Sequence, residues 1–154
     1  MLSDEQIIAK YGQPGDPTKL AVIDLPYPMR IAWDLTKTVT HMQCHQLLTG
    51  KFLNVFDDLQ AHYGLPQLQA LGIDLFGGCF NVRLMRGSKT KWSRHSWGIA
   101  IDLDPARNGL KVKSPIAQFS HIEYKAMIDI FYAHDFEGLG REENRDWMHF
   151  QAKI

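Results

Sequence analysis

The chain is 154 residues long, enough for one domain to bury a core without disulfide help. Seventeen basic residues balance seventeen acidic ones, which speaks against a surface dedicated to nucleic acid or to an anionic membrane. Cys44 and Cys79 are too few for a disulfide framework and read as buried free thiols, and no apolar run is long enough to span a bilayer.

The opening Met-Leu-Ser-Asp-Glu-Gln has neither the basic leader nor the apolar stretch of a signal peptide, so synthesis in the cytoplasm without an export signal is expected. Ser3 followed by Gln6 has the form of a capping box, with Ile7, Ile8 and Tyr11 as the buried stripe of a short helix ended by Gly12. Pro14, Gly15 and Pro17 then force an irregular segment. Leu20 to Asp24 reads as a short strand that Pro26 and Pro28 keep from a central position, and Arg30 to Trp33 continues the extended run. From Lys37 to His45 threonines and valine alternate with other residues, as in a strand or a strand leading into a helix. Phe52, Val55, Phe56, Leu59 and Tyr63 recur at intervals of three and four, which predicts an amphipathic helix from about Leu48 to His62, stopped by Gly64 and Pro66.

Phe76 to Met85 is apolar and β-prone, a predicted strand carrying Arg83, and Gly87 to Lys91 is a polar loop. Ile99 to Leu103 is a strand, from which Pro105 to Gly109 turns the chain away. Ile122, Ala126, Ile130 and Phe131 mark a helix from Ser120 to His134, with Ser120 as N-cap and Glu123 completing a capping box. Gly138 and Gly140 begin a charged loop through Arg145, and Met148 to Ala152 is the last strand. With no repeat, low-complexity tract or linker, residues 1–154 are expected to form a single α+β domain.

The stretch Ser93-Arg-His-Ser-Trp-Gly-Ile-Ala-Ile-Asp-Leu-Asp104 places His95 and Asp102 seven positions apart, with Gly98 and Ala100 between them. Alternation points Ile99, Ile101 and Leu103 into the core and puts Ala100, Asp102 and Asp104 on the opposite face. A carboxylate on an apolar strand needs a partner, and a metal ion is one. Gly98 lets the chain bend between the His95 loop and the strand, and Ala100 leaves room over the ion. In Asp146-Trp-Met-His-Phe150, Trp147, His149 and Gln151 share one face and Met148 and Phe150 the other. Asp146 then projects from the loop or a bulge before the strand, beside the metal rather than on it. His95, Asp102 and His149 hold one Zn2+ and leave a fourth tetrahedral position for water, the open form of a catalytic site. The alternatives are an Asp102 paired with a buried arginine and a His149 that is a hydrogen-bonded core histidine.

Other polar residues fit plainer roles. His41 and His45 read as core or surface histidines, since no glutamate completes an HExxH motif. His62 and His134 sit at helix ends, where an imidazolium suits the C-terminal dipole. His121 is exposed at a helix start, Asp57-Asp58 is a solvated helix face, and Trp97 and Trp147 read first as packing residues, with orienting the histidines or walling the cleft as the alternative.

Ser93-x-His95-x-x-Gly98-x-Ala100-x-Asp102, with the later Asp146-x-x-His149, resembles the signature of the D-alanyl-D-alanine carboxypeptidase (VanY-type) metallopeptidases. That family includes D-Ala-D-Ala dipeptidases and the L-alanyl-D-glutamate peptidases of phage endolysins. The segment Gly77-Gly-Cys-Phe-Asn-Val-Arg83, followed by Arg86-Gly87, is similar to the strand ahead of the signature in small phage and prophage members. The resemblance covers residues 76–104 and 146–151 and is loose over the N-terminal half. It implies an α+β fold shared with the hedgehog signalling domain, an antiparallel sheet flooring a zinc cleft with flanking helices. It also implies that His95, Asp102 and His149 bind Zn2+, that Asp146 is the catalytic base, that Arg83 stabilises the reacting carbonyl and that Ser93 helps position substrate. Arg86 replaces Arg83 if the latter faces the core, and either arginine has Asp104 or Asp74 as a plain ion-pair partner.

Two departures bear on specificity: Phe136-Glu-Gly-Leu-Gly-Arg141 stands where many relatives have a Trp-Gly-Gly-rich approach, and Asp146 stands where several have Glu. The implied reaction is zinc-dependent hydrolysis of an amide bond in a peptidoglycan stem peptide, by an endolysin-type L-Ala-D-Glu endopeptidase or a D-Ala carboxypeptidase. Such an enzyme reaches the cell wall after release by a separate membrane-permeabilising protein, as in phage lysis. A cytosolic D-Ala-D-Ala dipeptidase and a catalytically inactive zinc-bearing binding module of the same fold are the alternatives.

Overall fold

A computed structural model describes residues 2–153 as a mixed α+β arrangement around one sheet. Its strands are β1 (Leu20–Ile31), β2 (Asp34–His45), β3 (Leu75–Gly78), β4 (Ala100–Leu103), β5 (Phe136–Gly138) and β6 (His149–Ala152), in the order β2-β1-β3-β4-β6-β5. Neighbours are antiparallel except β1 and β3, which pair in parallel at Arg30–Leu75 and Ile31–Phe76. The sheet is therefore mixed rather than antiparallel throughout.

β1 runs straight through Pro26 and Pro28 and occupies an interior position, contrary to the sequence expectation. The β1–β2 register breaks between Asp24 and Met29, and β3 meets β1 only from Arg30. The prolines therefore lie where the ladder asks for no N–H, which removes their usual penalty.

The helices are α1 (Asp4–Tyr11), α2 (Thr49–Tyr63), α3 (Leu65–Leu71), α4 (Lys125–Ala133) and α5 (Leu139–Glu143). The Ser3–Gln6 capping box starts α1, and α2 buries Phe52, Val55, Phe56 and Leu59 as its periodicity predicts. Gly64 ends α2, but Pro66 sits in the first turn of α3, where a missing N–H costs nothing. No helix among the described residues is long and apolar enough to cross a membrane.

α2 packs on β1 and α4 on β5, so these two helices cover one face of the sheet. Phe131 of α4 stacks on Phe150 of β6 at 4.0 Å between ring centroids, and Phe52 meets Phe136 at 4.7 Å. Burying one such ring contributes about 1.5–3 kcal/mol. Ile101 and Leu103 point into this core. The opposite face of β4 and β6 carries Asp102, His149 and Gln151, which line a cleft.

Three predicted elements differ. No single helix begins at Ser120: two short 3-10 turns, Gln118–Ser120 and Ile122–Tyr124, precede α4, and Ile122 is exposed. The Ser120 hydroxyl is engaged with the Ala117 carbonyl at 2.6 Å, so no capping box forms there. Residues 138–145 are not a loop, because β5 and α5 occupy the glycine-rich segment. Gly138 is needed where it stands, since a Cβ there would lie 3.0 Å from the Phe150 ring. Finally β3 ends at Gly78, and Arg83 lies off the sheet, beside the turn that carries His95.

Candidate metal centre

Ser93, Gly98 and the end of β2 shape that turn. The Ser93 hydroxyl accepts the His95 N–H and opens a 3-10 turn over Arg94–Trp97. Gly98 closes it with a φ of +70°, and a Cβ at this position would stand 2.9 Å from the His45 backbone nitrogen. A glycine is required on both counts. The preceding segment runs alongside: Asn81 N–H donates to the His95 carbonyl, while Ser93 N–H and the Ser96 hydroxyl both donate to the Arg83 carbonyl. The Trp97 indole donates to the Gly12 carbonyl at 2.8 Å, which ties the turn to the end of α1.

Strand register supplies the other two expected ligands. Asp102 of β4 is the direct partner of His149 of β6. With His95 they form a group whose ligand atoms all lie within 4.8 Å of one another. Asp102 Oδ1 is 3.1 Å from His149 Nδ1, and Asp102 Oδ2 is 3.2 Å from His95 Nε2. The small side chain of Ala100 shares the Asp102 face, and Asp104 does not: at φ +45° it turns away and pairs with Arg107.

The proton inventory favours a cation here. His95 Nδ1 is 2.7 Å from the Cys79 carbonyl, which can only accept, so Nδ1 carries the proton. His95 Nε2 is then a lone pair aimed at the Asp102 carboxylate, and it is buried without a hydrogen-bond partner. Two acceptors facing each other repel unless a positive charge sits between them, and two imidazoles with one carboxylate form a zinc-compatible donor set. Burial pushes the Asp102 carboxyl up, but the two imidazoles beside its oxygens outweigh it and hold it well below the usual carboxylate range. Burial opposes charging of His149, yet the Asp102 hydrogen bond and charge, followed by the charge of Asp146, raise it above the ordinary imidazole value.

Asp146 lies just before β6, as expected, at φ +50°. Its N–H donates to the Leu110 carbonyl and its own carbonyl accepts the His149 N–H, which fixes it beside the cluster. One carboxylate oxygen is buried with no partner. Burial raises its pKa, His149 pulls it down, and the negative charge of Asp102 raises it again, with a net upward shift. Such a carboxyl accepts and releases a proton closer to neutrality than an exposed one.

Asp102, Asp146 and His149 line a cleft of about 830 Å³ whose walls include Arg83, Arg86 and Ser93. Arg83 is partly buried and Arg86 exposed; neither pairs with Asp104 or Asp74, which are engaged by Arg107 and Arg30. Met148 lines the cleft instead of joining Phe150 in the core, because β6 begins only at His149. Trp147 packs on Gly140, where any Cβ would collide with its ring, and its indole donates to Asn144. The remaining histidines stand apart: His45 is buried against Tyr11, while His41 and His134 pair with Asp24 and Asp58. Sequence reasoning missed the Cys79 carbonyl, Glu137, and Asn108, whose amide holds the Asp104 carbonyl and the Phe119 N–H. Backbone groups and register partners leave no mark in a single sequence.

The sequence model of a family described as D-alanyl-D-alanine carboxypeptidase matches residues 86–152. That span is under half of the chain; it takes in His95, Asp102, Asp146 and His149 and leaves out Arg83. No curated protein and no solved structure matches.

Proposed function

We propose that the chain is a zinc metallopeptidase of the D-alanyl-D-alanine carboxypeptidase family, hydrolysing an amide bond in a peptidoglycan stem peptide. One observation carries this reading: His95 Nε2, the Asp102 carboxylate and His149 Nδ1 converge on one buried spot, with the unpaired Asp146 beside it. A zinc ion held by His95, Asp102 and His149 would supply Lewis acidity, acidifying water and polarising a carbonyl. Asp146 takes the proton of the attacking water onto a carboxylate oxygen and returns it to the leaving amine. Arg83 places positive charge on the cleft wall against the oxygen of the reacting carbonyl, and removing one such stabiliser costs about 10²–10³ in turnover. Ser93 holds the His95 turn from within the same wall.

The cleft is basic although the chain as a whole is neutral. Arg83, Arg86, Lys91, Arg94, Lys111, Lys113 and Arg145 line it, against Asp4 and Glu5 from α1 and the site's own Asp102 and Asp146. That field suits a peptide rich in carboxylates, as a stem peptide is. The bond cut is L-Ala–D-Glu, in endolysin-type action on the wall after release from the cell, or the D-Ala terminus. Digestion of purified sacculi by the zinc-loaded protein, with fragments identified by mass spectrometry, tests the proposal. New D-Glu amino termini mean endopeptidase action and loss of D-Ala alone means carboxypeptidase action. Intact sacculi would leave a zinc-bearing binding module and overturn the assignment.

A further inference from the structure

Behind His149 the sheet lines up two more polar side chains that the reaction does not use. β4, β6 and β5 are adjacent, and their register sets Asp102 opposite His149 and Gln151 opposite Glu137. His149 and Gln151 are two positions apart on β6, so all four side chains fall on one face. The distances follow: His149 Nε2 is 2.9 Å from Gln151 Oε1, and Gln151 Nε2 is 2.9 Å from Glu137 Oε1. His149 and Gln151 are both buried, and Arg94 Nη1 lies 3.9 Å from the same Glu137 oxygen, holding positive charge against that carboxylate.

Donors and acceptors leave one consistent assignment. A carboxylate accepts and cannot donate, so Glu137 claims the amide N–H of Gln151. The amide oxygen is thereby turned to the imidazole. It too only accepts, so His149 Nε2 carries a ring proton, and Nδ1, facing Asp102, is the nitrogen left to offer its lone pair to a cation. The other histidine reaches the same state by a different device, with the Cys79 carbonyl on His95 Nδ1.

We propose that Gln151, oriented by Glu137, is a positioning residue that locks His149 in its Nε2–H tautomer and so sets the affinity of the centre for its cation. The proposal rests on the reading of His95, Asp102 and His149 as zinc ligands. A ring free to take the other tautomer presents N–H where a ligand is needed. A hydrogen bond on the far nitrogen also fixes ring orientation and strengthens the donor, and losing such a partner typically weakens metal binding by about 10–100-fold.

The test is zinc affinity, measured on the full chain by competition with a chromophoric chelator. Gln151→Leu removes the acceptor at similar volume and is expected to bind about 10–100-fold more weakly. Glu137→Met, on the partly exposed edge strand, lets the amide turn over and is expected to lose less. The double variant should be no weaker than Gln151→Leu, because Glu137 acts only through Gln151. The exchange Gln151→Glu with Glu137→Gln swaps donor and acceptor, keeps an acceptor on Nε2–H, and should return affinity to near the parental value. Parental affinity in Gln151→Leu, or, if that chain does not fold, in Glu137→Met, overturns the relay. An exchanged pair as weak as Gln151→Leu also overturns it, since packing alone would then explain the loss. Failure of the unmodified protein to take up zinc is a separate result, which removes the metal centre itself and the relay with it.

Discussion

Asp146 combines two costs in one residue. Its φ of +50° is a conformation that Asn, Asp and Gly tolerate and most residues do not, and its buried carboxylate oxygen has no partner. Features of this kind persist where chemistry needs them. Asp146→Asn keeps the shape and the backbone tolerance while removing the charge. It should melt no lower than the parent, still bind one equivalent of zinc, and lose about 10²–10⁴ in hydrolysis. Thermal melts, metal analysis and peptide cleavage check the three parts, and loss of metal would make Asp146 a ligand instead of a base. Strand alternation is a local rule, and it put Asp102 and His149 on the faces they occupy; His95, in a turn, and Asp146, ahead of β6, lie outside its reach and were legible only from the spacing of the motif. Gln151 was placed on the His149 face by the same rule. Glu137 was not, since what brings it to Gln151 is the pairing of β5 with β6, and that is set by the whole sheet.

At the scale of elements, His45 joins the first helix to the sheet. Its Nε2–H donates to the Tyr11 carbonyl at 2.7 Å and its Nδ1 accepts the Leu47 N–H at 3.1 Å, so only the neutral ring satisfies both. Burial lowers its pKa below the ordinary value of about 6.5, outweighing the Tyr11 hydrogen bond that raises it. As pH falls, the unfolded chain takes up this proton first. The stability attached to a neutral His45 is therefore complete above about pH 6.5 and is lost progressively below it. With chelator throughout, the parent's urea midpoint should lose ground to that of His45→Gln between about pH 7.5 and about pH 5.5, the variant cancelling every other titrating group common to both. Equal drops in the two proteins would remove His45 as the source. Elements with strong local signals were readable: the α1 capping box, the α2 stripe and the cores of β4 and β6. Those set by context were not. Pro66 was taken only as a stop although it also starts α3, and β5, three residues between polar and glycine-rich flanks, resembles a loop until Phe136 meets Phe52 and Phe131.

Over the whole molecule, the candidate ligands come from two parts of the chain that meet only in the folded state, with Asp102 and His149 separated by 47 positions. A cation that binds this arrangement and not the unfolded chain adds about 2.7 kcal/mol of stability at a free concentration 100 times its dissociation constant. At about 2–4 °C per kcal/mol for a chain of this size, zinc should raise the melting temperature by about 5–10 °C. Chelator should reverse the shift, and calorimetry showing no difference would argue against the centre. The balanced total charge concealed a basic cleft, because a sum cannot report which face carries which sign. β6, finally, lies between β4 and β5 although it follows every other element in the chain. Until it slots into that gap, His149 has no Asp102 to face and Asp146 has no neighbours to shift it. The candidate site is thus complete only when β6 is paired on both sides, and a chain without its last strand keeps only His95 and Asp102 in contact.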